Sequence, residues 1–424
     1  MKIRSTATET LAELCQRNAV DTKDVSASVS EIIETVKTTG DQALIDYTEK
    51  FDGQKITTLK ITTAEIEAAI EQVDAKIIAV MRKAKKNIRK FHEKQVRQGF
   101  VTAENGTVMG QRVLPLERVG VYVPGGTAAY PSTVLMDVIP AQVAGVKEIV
   151  MVTPPDKNGQ VNPVILAAAQ VAGVTEIYRV GGAQAVAALA YGTQSIPQVD
   201  KIVGPGNIFV ATAKKLVYGA VDIDMIAGPS DILIVADETA KAKWVAADLL
   251  AQAEHDVNAQ AVLVTTSQEL AQAVQAELTL QTDKLARKEI ASVSILNNGK
   301  IILVASMEEA LELSNKIAPE HLELSVAEPF ALLDQVKNAG SVFLGHYTPE
   351  VLGDYFAGPN HTLPTEGTSR FYSALSVDDF VKRSSYLYYT PPATQKVAED
   401  VIYFANAEGL GGHANSMAVR FEEE

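Results

Sequence analysis

The chain has 424 residues, of which 47% are hydrophobic and 21% charged; this is an ordinary globular composition, in a chain too long for one core to organise. A formal net charge of −14, from 38 basic and 52 acidic residues, argues against nucleic acid as a partner, because phosphate binding needs a basic face. No apolar run approaches the roughly 20 residues of a membrane span, the amino terminus lacks the apolar core of a signal peptide, and Cys15 is the one cysteine. A soluble, cytoplasmic protein without an internal disulfide is expected.

In chain order, residues 7–18 are expected to form a helical stretch carrying Cys15. Residues 21–117 are expected to be mainly helical, with a capping box at Thr62 and Glu65. The basic run from Lys83 to Lys90 alternates with Ile88 and Phe91 as a solvated helix face does. From residue 118 short β-rich runs alternate with Ala-rich helical runs. Strands are expected at 119–123, 148–152, 176–180, 201–203 and 222–226. The helices between them, 132–145, 163–173, 183–192 and 208–219, each close on glycine. This rhythm implies a parallel sheet covered on both faces. After Gly228-Pro229-Ser230-Asp231 a second alternation follows, with strands at 232–235, 260–265, 300–304, 321–325 and 341–344. The stretch after Phe371 carries helix-like runs and ends in Glu422-Glu423-Glu424, a tail expected to dock on a neighbour such as a second subunit. The fold class is therefore α/β, with two parallel-sheet domains joined near residues 120 and 230. The helices of 21–117 are assigned to the second.

Chemistry is foreshadowed by the histidines. Only six occur, and four stand beside Gly, Pro or carboxylates at element ends: His255, His321, His361 and His413. Residues placed this way suggest metal ligation and proton transfer near neutral pH. Gln252 and His255, three apart on a helix expected over 240–255, project from one face; a helix-terminal histidine complementing the dipole is the alternative. With Asp354 and the loop histidines they form an amide, imidazole and carboxylate set without thiolate, suited to Zn²⁺ or Mn²⁺ in an open catalytic site. Pro319-Glu320-His321 places a carboxylate and an imidazole at the mouth of a strand. Neighbours on a strand face opposite ways, so both serve one site only if the turn at Pro319 redirects Glu320. Two groups of different basicity could then act in successive steps.

Glycine-rich turns at Pro124-Gly125-Gly126, Gly181-Gly182, Gly204-Pro205-Gly206-Asn207 and Gly228-Pro229 each follow an expected strand. None completes G-x-G-x-x-G, so the standard dinucleotide fingerprint is absent. Cys15 lies far from every motif, which excludes thiol chemistry, and there is no G-x-S-x-G elbow for a serine hydrolase.

Together, Val119-Gly-Val-Tyr-Val-Pro-Gly-Gly126, Val180-Gly-Gly-Ala-Gln184, Val199-Asp-Lys-Ile-Val-Gly-Pro-Gly-Asn207, Gln252-Ala-Glu-His255, Pro319-Glu-His-Leu-Glu323, Asn360-His-Thr-Leu-Pro-Thr365 and Gly411-Gly-His-Ala-Asn415 resemble, in order, the histidinol dehydrogenase family. The resemblance implies two Rossmann-like domains of aldehyde-dehydrogenase-like kind with helical terminal appendages. Residues 1–20 would form an amino-terminal helical arm, 119–231 an NAD-binding domain, 21–118 with 232–371 a metal-binding catalytic domain, and 372–424 a tail completing a partner's site. It also implies oxidation of L-histidinol to L-histidine through bound histidinaldehyde, with two NAD⁺ and one zinc per subunit of a homodimer. Metal ligands then fall on Gln252, His255, Asp354 and His413, the last supplied across the dimer. Glu320 and His321 become catalytic bases. Substrate contacts fall on Ser230, His321, Asp354 and Glu408, besides the other metal ligands, with His361 nearby. Tyr122, Gln184 and Asn207 become NAD contacts. Two other classes fit parts of this pattern: a metal-dependent hydrolase using Glu320 as base, and a two-lobed binding protein.

Overall fold

In the strand Glu148–Thr153 every residue after the first is buried, and the period-2 alternation of a strand divides them between two cores. Ile149 and Met151 join one apolar cluster, Val150 and Val152 another. A strand of this kind needs helices on both faces. The computed structural model describes residues 1–16, 23–125 and 130–422. The end of the helix expected over 7–18, Gly126 of the first glycine turn, and Glu423 and Glu424 lie outside the described residues.

Two units are distinguished, the first comprising Met1–Gln95 and Leu116–Phe380, the second Val96–Pro115 and Val381–Glu424. The first unit holds two parallel sheets. One has five strands in the order Glu176–Arg179, Glu148–Thr153, Arg118–Tyr122, Lys201–Val203, Asp222–Ile223. Two of its covering helices close as expected on Gly145 and Gly173 in the left-handed conformation, at φ 98° and 90°, whereas the helix expected to run to Gly219 stops at Val217, with Tyr218 as its cap. The other has six, ordered Lys2–Ser5, Lys300–Leu303, Gln260–Thr265, Asp231–Ala236, His321–Ser325, Ser341–Leu344.

Three expectations are corrected. The first residues form a strand, Lys2–Ser5, paired with Lys300–Leu303, and the helix after it spans only Leu11–Cys15. The helices between 23 and 92 pack on the five-stranded sheet rather than with the second one. Val29, Ile32, Ile33 and Val36 join the cluster containing Val150 and Tyr178, while Met81, Ala84 and Ile88 join that containing Val119 and Val121. An apolar helical stripe specifies burial but not which sheet supplies it. The capping box at Thr62 and Glu65 is present in both directions. Third, the stretch before residue 117 and the tail are not simply helical. In the second unit Phe100–Glu104, Thr107–Pro115 and Val381–Tyr389 build an antiparallel sheet, followed by the helices Pro391–Ala407 and Gly411–Ala418. Among the described residues no helix is long and apolar enough to cross a membrane.

Candidate active site

In the five-stranded sheet the chain leaves Arg118–Tyr122 toward one edge and later returns on its other side as Lys201–Val203. The loops after these two adjacent strands therefore diverge, and a crevice opens at their carboxyl ends. Tyr122, Gln184 and Asn207 line a cavity of about 700 Å³ there. Gly182 N–H donates to the Tyr122 hydroxyl at 3.0 Å. Asn207 caps the helix Ile208–Val217, its Oδ1 accepting from Phe209 and Val210 N–H, which leaves its Nδ2 uncommitted to the cap. Gln184 is buried and its Oε1 has no hydrogen-bond partner. Gly204, at φ +110°, brings its backbone so near that a Cβ would stand 2.1 Å from the Tyr122 carbonyl. Beneath it Lys214 and Asp224 form a buried ion pair. Lys214 Nζ donates to the Gly204 carbonyl at 3.0 Å, and Gly204 N–H donates to Asp224 Oδ2 at 2.8 Å. The loop is thus clamped on both backbone groups.

A second cavity, of about 440 Å³, shares Pro124, Gly125 and Asn207 with the first and gathers Ser230, Gln252, His255, Glu320, His321, Asp354 and His361. Asp231 and His321 are the first residues of their strands, so here the six-stranded sheet presents its amino edge. Glu320 and His321 thus stand at the head of their strand, as expected, and the general preference of ligand crevices for carboxyl ends holds only for the five-stranded sheet. Glu320 is redirected as required: Ala318 takes φ +52°, and Glu320 Oε2 comes within 3.8 Å of His321 Nδ1. The helix bearing Gln252 ends at Ala253, so His255 lies just beyond it rather than on its face. Its Nδ1 is 3.0 Å from the Ala251 carbonyl, to which it donates, leaving Nε2 outside that bond.

His321 Nδ1 lies 3.1 Å from the Asp231 carbonyl and 3.6 Å from Glu350 Oε2. Its Nε2 stands 3.5 Å from Asp354 Oδ1, an ionic contact without hydrogen-bond geometry, since that atom has no hydrogen-bond partner. Burial alone would hold the imidazole down, but the carboxylates of Glu320, Glu350 and Asp354 raise it well above its ordinary value. Burial pushes Glu320 up to about 7, with Asp231 adding to the rise and His321 opposing it. Partial burial works to raise Asp354, yet His321, His361 and His255 hold it below the usual carboxyl range. Burial lowers His361; its Nδ1 lies 3.0 Å from the Asp354 carbonyl and its Nε2 3.3 Å from Thr133 Oγ1.

Among the described residues no three His, Cys, Asp or Glu side chains form a metal-holding group. Of the side chains expected to hold a metal, His255 and Asp354 line the cleft with the Gln252 amide. Glu408 and His413 belong to the second unit, where both line a surface depression with Phe404 and Met417. Asp231, Thr133 and Glu350 are the site neighbours that sequence reasoning missed.

The family model described as histidinol dehydrogenase matches residues 15–421. The histidinol dehydrogenase of Clostridium acetobutylicum is 56% identical over 410 residues, 96% of this chain and 95% of that one. That of Listeria monocytogenes is 54% identical over 427 residues, all of both chains. A crystal structure of histidinol dehydrogenase from Elizabethkingia anophelis superposes with a TM-score of 0.93 at 40% identity, covering 99% of this chain and 97% of that one. The chain belongs to the histidinol dehydrogenase family. As a member of that family it is an oxidoreductase, and its two parallel sheets are the histidinol dehydrogenase fold. Glu320, His321, Gln252 and His255 are gathered in the cleft.

Proposed function

We propose that the protein oxidises L-histidinol to L-histidine through bound histidinaldehyde, using two NAD⁺ in turn and one zinc ion per subunit. The observation that carries this reading is the convergence of Gln252, His255, Glu320, His321, Asp354 and His361 on one cavity that adjoins the cavity of Tyr122, Gln184 and Asn207. The donor set fits zinc: an imidazole whose Nδ1 is taken up by the Ala251 carbonyl so that Nε2 faces the site, a carboxylate held below the usual range, and an amide. Gln252, His255 and Asp354 would hold the ion. His413 and Glu408 would complete the metal and substrate contacts from the second copy of a cytoplasmic homodimer. Tyr122, Gln184 and Asn207 would hold NAD. Ser230 and His361 would contact the substrate.

When bound, zinc supplies a positive charge that orients the substrate's nitrogens and draws His321 toward its basic form, and NAD⁺ supplies a hydride acceptor. His321 then takes the hydroxyl proton as the carbinol carbon gives up hydride. Glu320, poised near neutrality, takes a proton from water as its oxygen adds to the aldehyde, and the proton that His321 took in the first step passes to the aldehyde oxygen, which returns His321 to its basic form. His321 takes the proton of the hydrated aldehyde in the second oxidation. Each oxidation removes two electrons and releases one proton, which accounts for two NADH per histidinol. The reading is tested by following NADH with histidinol and with histidinaldehyde, before and after chelation. NADH from both, lost on chelation and restored by Zn²⁺, is expected; no NADH from either substrate would overturn it.

A further inference from the structure

Gln252 is buried, and its amide lies against the carboxylate of Glu350. With the amide nitrogen facing Glu350 it donates to Oε1 and Oε2, each at 3.0 Å. Resting on the zinc reading above, we infer that Glu350 is a positioning residue that fixes the Gln252 amide so that its carbonyl oxygen, and not its nitrogen, is offered to the metal. An amide left free can turn over, and its NH₂ end has no lone pair for a cation. Glu350 is itself held firmly: it is 1% exposed, and its backbone N–H donates to Glu323 Oε1 at 2.8 Å.

The connections close on themselves. Glu350 and Asp354 are four apart on the helix Glu350–Tyr355, so one helical face delivers the ligand and the orienting carboxylate together. Glu323 lies two residues after His321 on the strand His321–Ser325, on the same side of it. Asp248, one turn before Gln252 on the helix Ala242–Ala253, shares a hydrogen bond with Glu323. The path Gln252, Glu350, Glu323, Asp248 thus returns to the helix that bears Gln252, and the amide is oriented from a rigid frame. Partners that orient metal ligands in this way tune metal affinity from outside the ligand set.

The test titrates metal-free wild-type protein, Glu350→Gln and Glu350→Asp with Zn²⁺ against a chromogenic chelator, which reads affinity without turnover. Glu350→Gln is expected to raise the zinc Kd roughly 10–100-fold, with excess Zn²⁺ restoring NADH production. Glu350→Asp keeps the carboxyl group but withdraws it by one methylene; it should weaken zinc binding less, and it decides the matter if the Gln variant does not fold. In a Gln252→Met background, Glu350→Gln should add no further loss. Wild-type affinity in the Glu350 variants, or an undiminished loss when Gln252 is absent, overturns the positioning role while the zinc reading stands. A wild-type protein that binds no Zn²⁺ overturns the zinc reading and this inference with it.

Discussion

Asp231 and Glu320 hold each other through two hydrogen bonds of 2.9 Å: Asp231 N–H donates to Glu320 Oε2, and Glu320 N–H donates to Asp231 Oδ1. The pair joins the starts of two adjacent strands and keeps the Glu320 carboxylate beside His321. Asp231 also adds negative charge that helps to raise Glu320 to about 7. Asp231→Asn keeps the acceptor and removes the charge, so the acid limb of the pH–rate profile for histidinaldehyde oxidation should move to lower pH. Asp231→Ala strands a buried N–H, at a cost of about 1–3 kcal/mol, measurable by denaturant unfolding.

The Lys214–Asp224 pair supports the loop that carries Asn207. Lys214→Met leaves Asp224 buried without its cation, which should destabilise the protein by about 3–5 kcal/mol. Because Gly204 loses the donor to its carbonyl, the KM for NAD⁺ should rise more than the KM for histidinol. Steady-state kinetics with each substrate varied separately checks the split.

Asp137 supplies a pH dependence of stability. It is fully buried, Thr362 Oγ1 donates to its Oδ1 at 2.8 Å, and Oδ2 has no hydrogen-bond partner. Burial pushes it up to about 8 from 3.8, with Asp224 adding to the rise and Thr362 and Lys214 opposing it. Between these values the unfolded chain has lost the proton and the folded one keeps it. Stability from this group therefore falls as pH rises from about 4 to about 8, by roughly 1.4 kcal/mol per unit. Asp137→Asn should remove that slope, so its melting temperature should gain on the wild type steadily across the window. Parallel melting curves at pH 5 and pH 8 would contradict this.

If active sites are completed across a dimer, His413→Asn and His321→Asn proteins, each inactive alone, should recover activity on mixing. One site of each heterodimer then carries neither substitution, so about half of one intact pair's activity is expected on the logic of a shared two-fold interface. Activity assays on separate and co-refolded proteins provide the check.

Much of the first unit was legible because strands of a parallel sheet are buried on both faces and their helices close on glycine. Gln260–Thr265, His321–Ser325 and Ser341–Leu344 fall where the apolar runs place them. The hairpin before residue 116 carried its signal in Asn105-Gly106, which turn at φ 50° and 82°, as a two-residue hairpin requires. It went unread because every residue of Phe100–Glu104 is exposed, so no apolar alternation marks the strand. Glu350 follows Pro349 at the start of a short helix, where an acid ordinarily complements the dipole in solvent. Only tertiary packing shows that it is buried against Gln252. His255, His321, His361 and Glu320 stood out through their motifs and share one cavity, whereas the amino-edge placement of Asp231 and Glu320 depends on which strands become neighbours.

The division of labour between His321 and Glu320 is tested most directly by counting NADH in single turnovers of histidinol. The wild type should yield two equivalents per substrate. Glu320→Gln should yield one rapidly and the second slower by about 10²–10⁴-fold, while His321→Asn should slow both. Equal slowing of the two equivalents in Glu320→Gln would contradict the account.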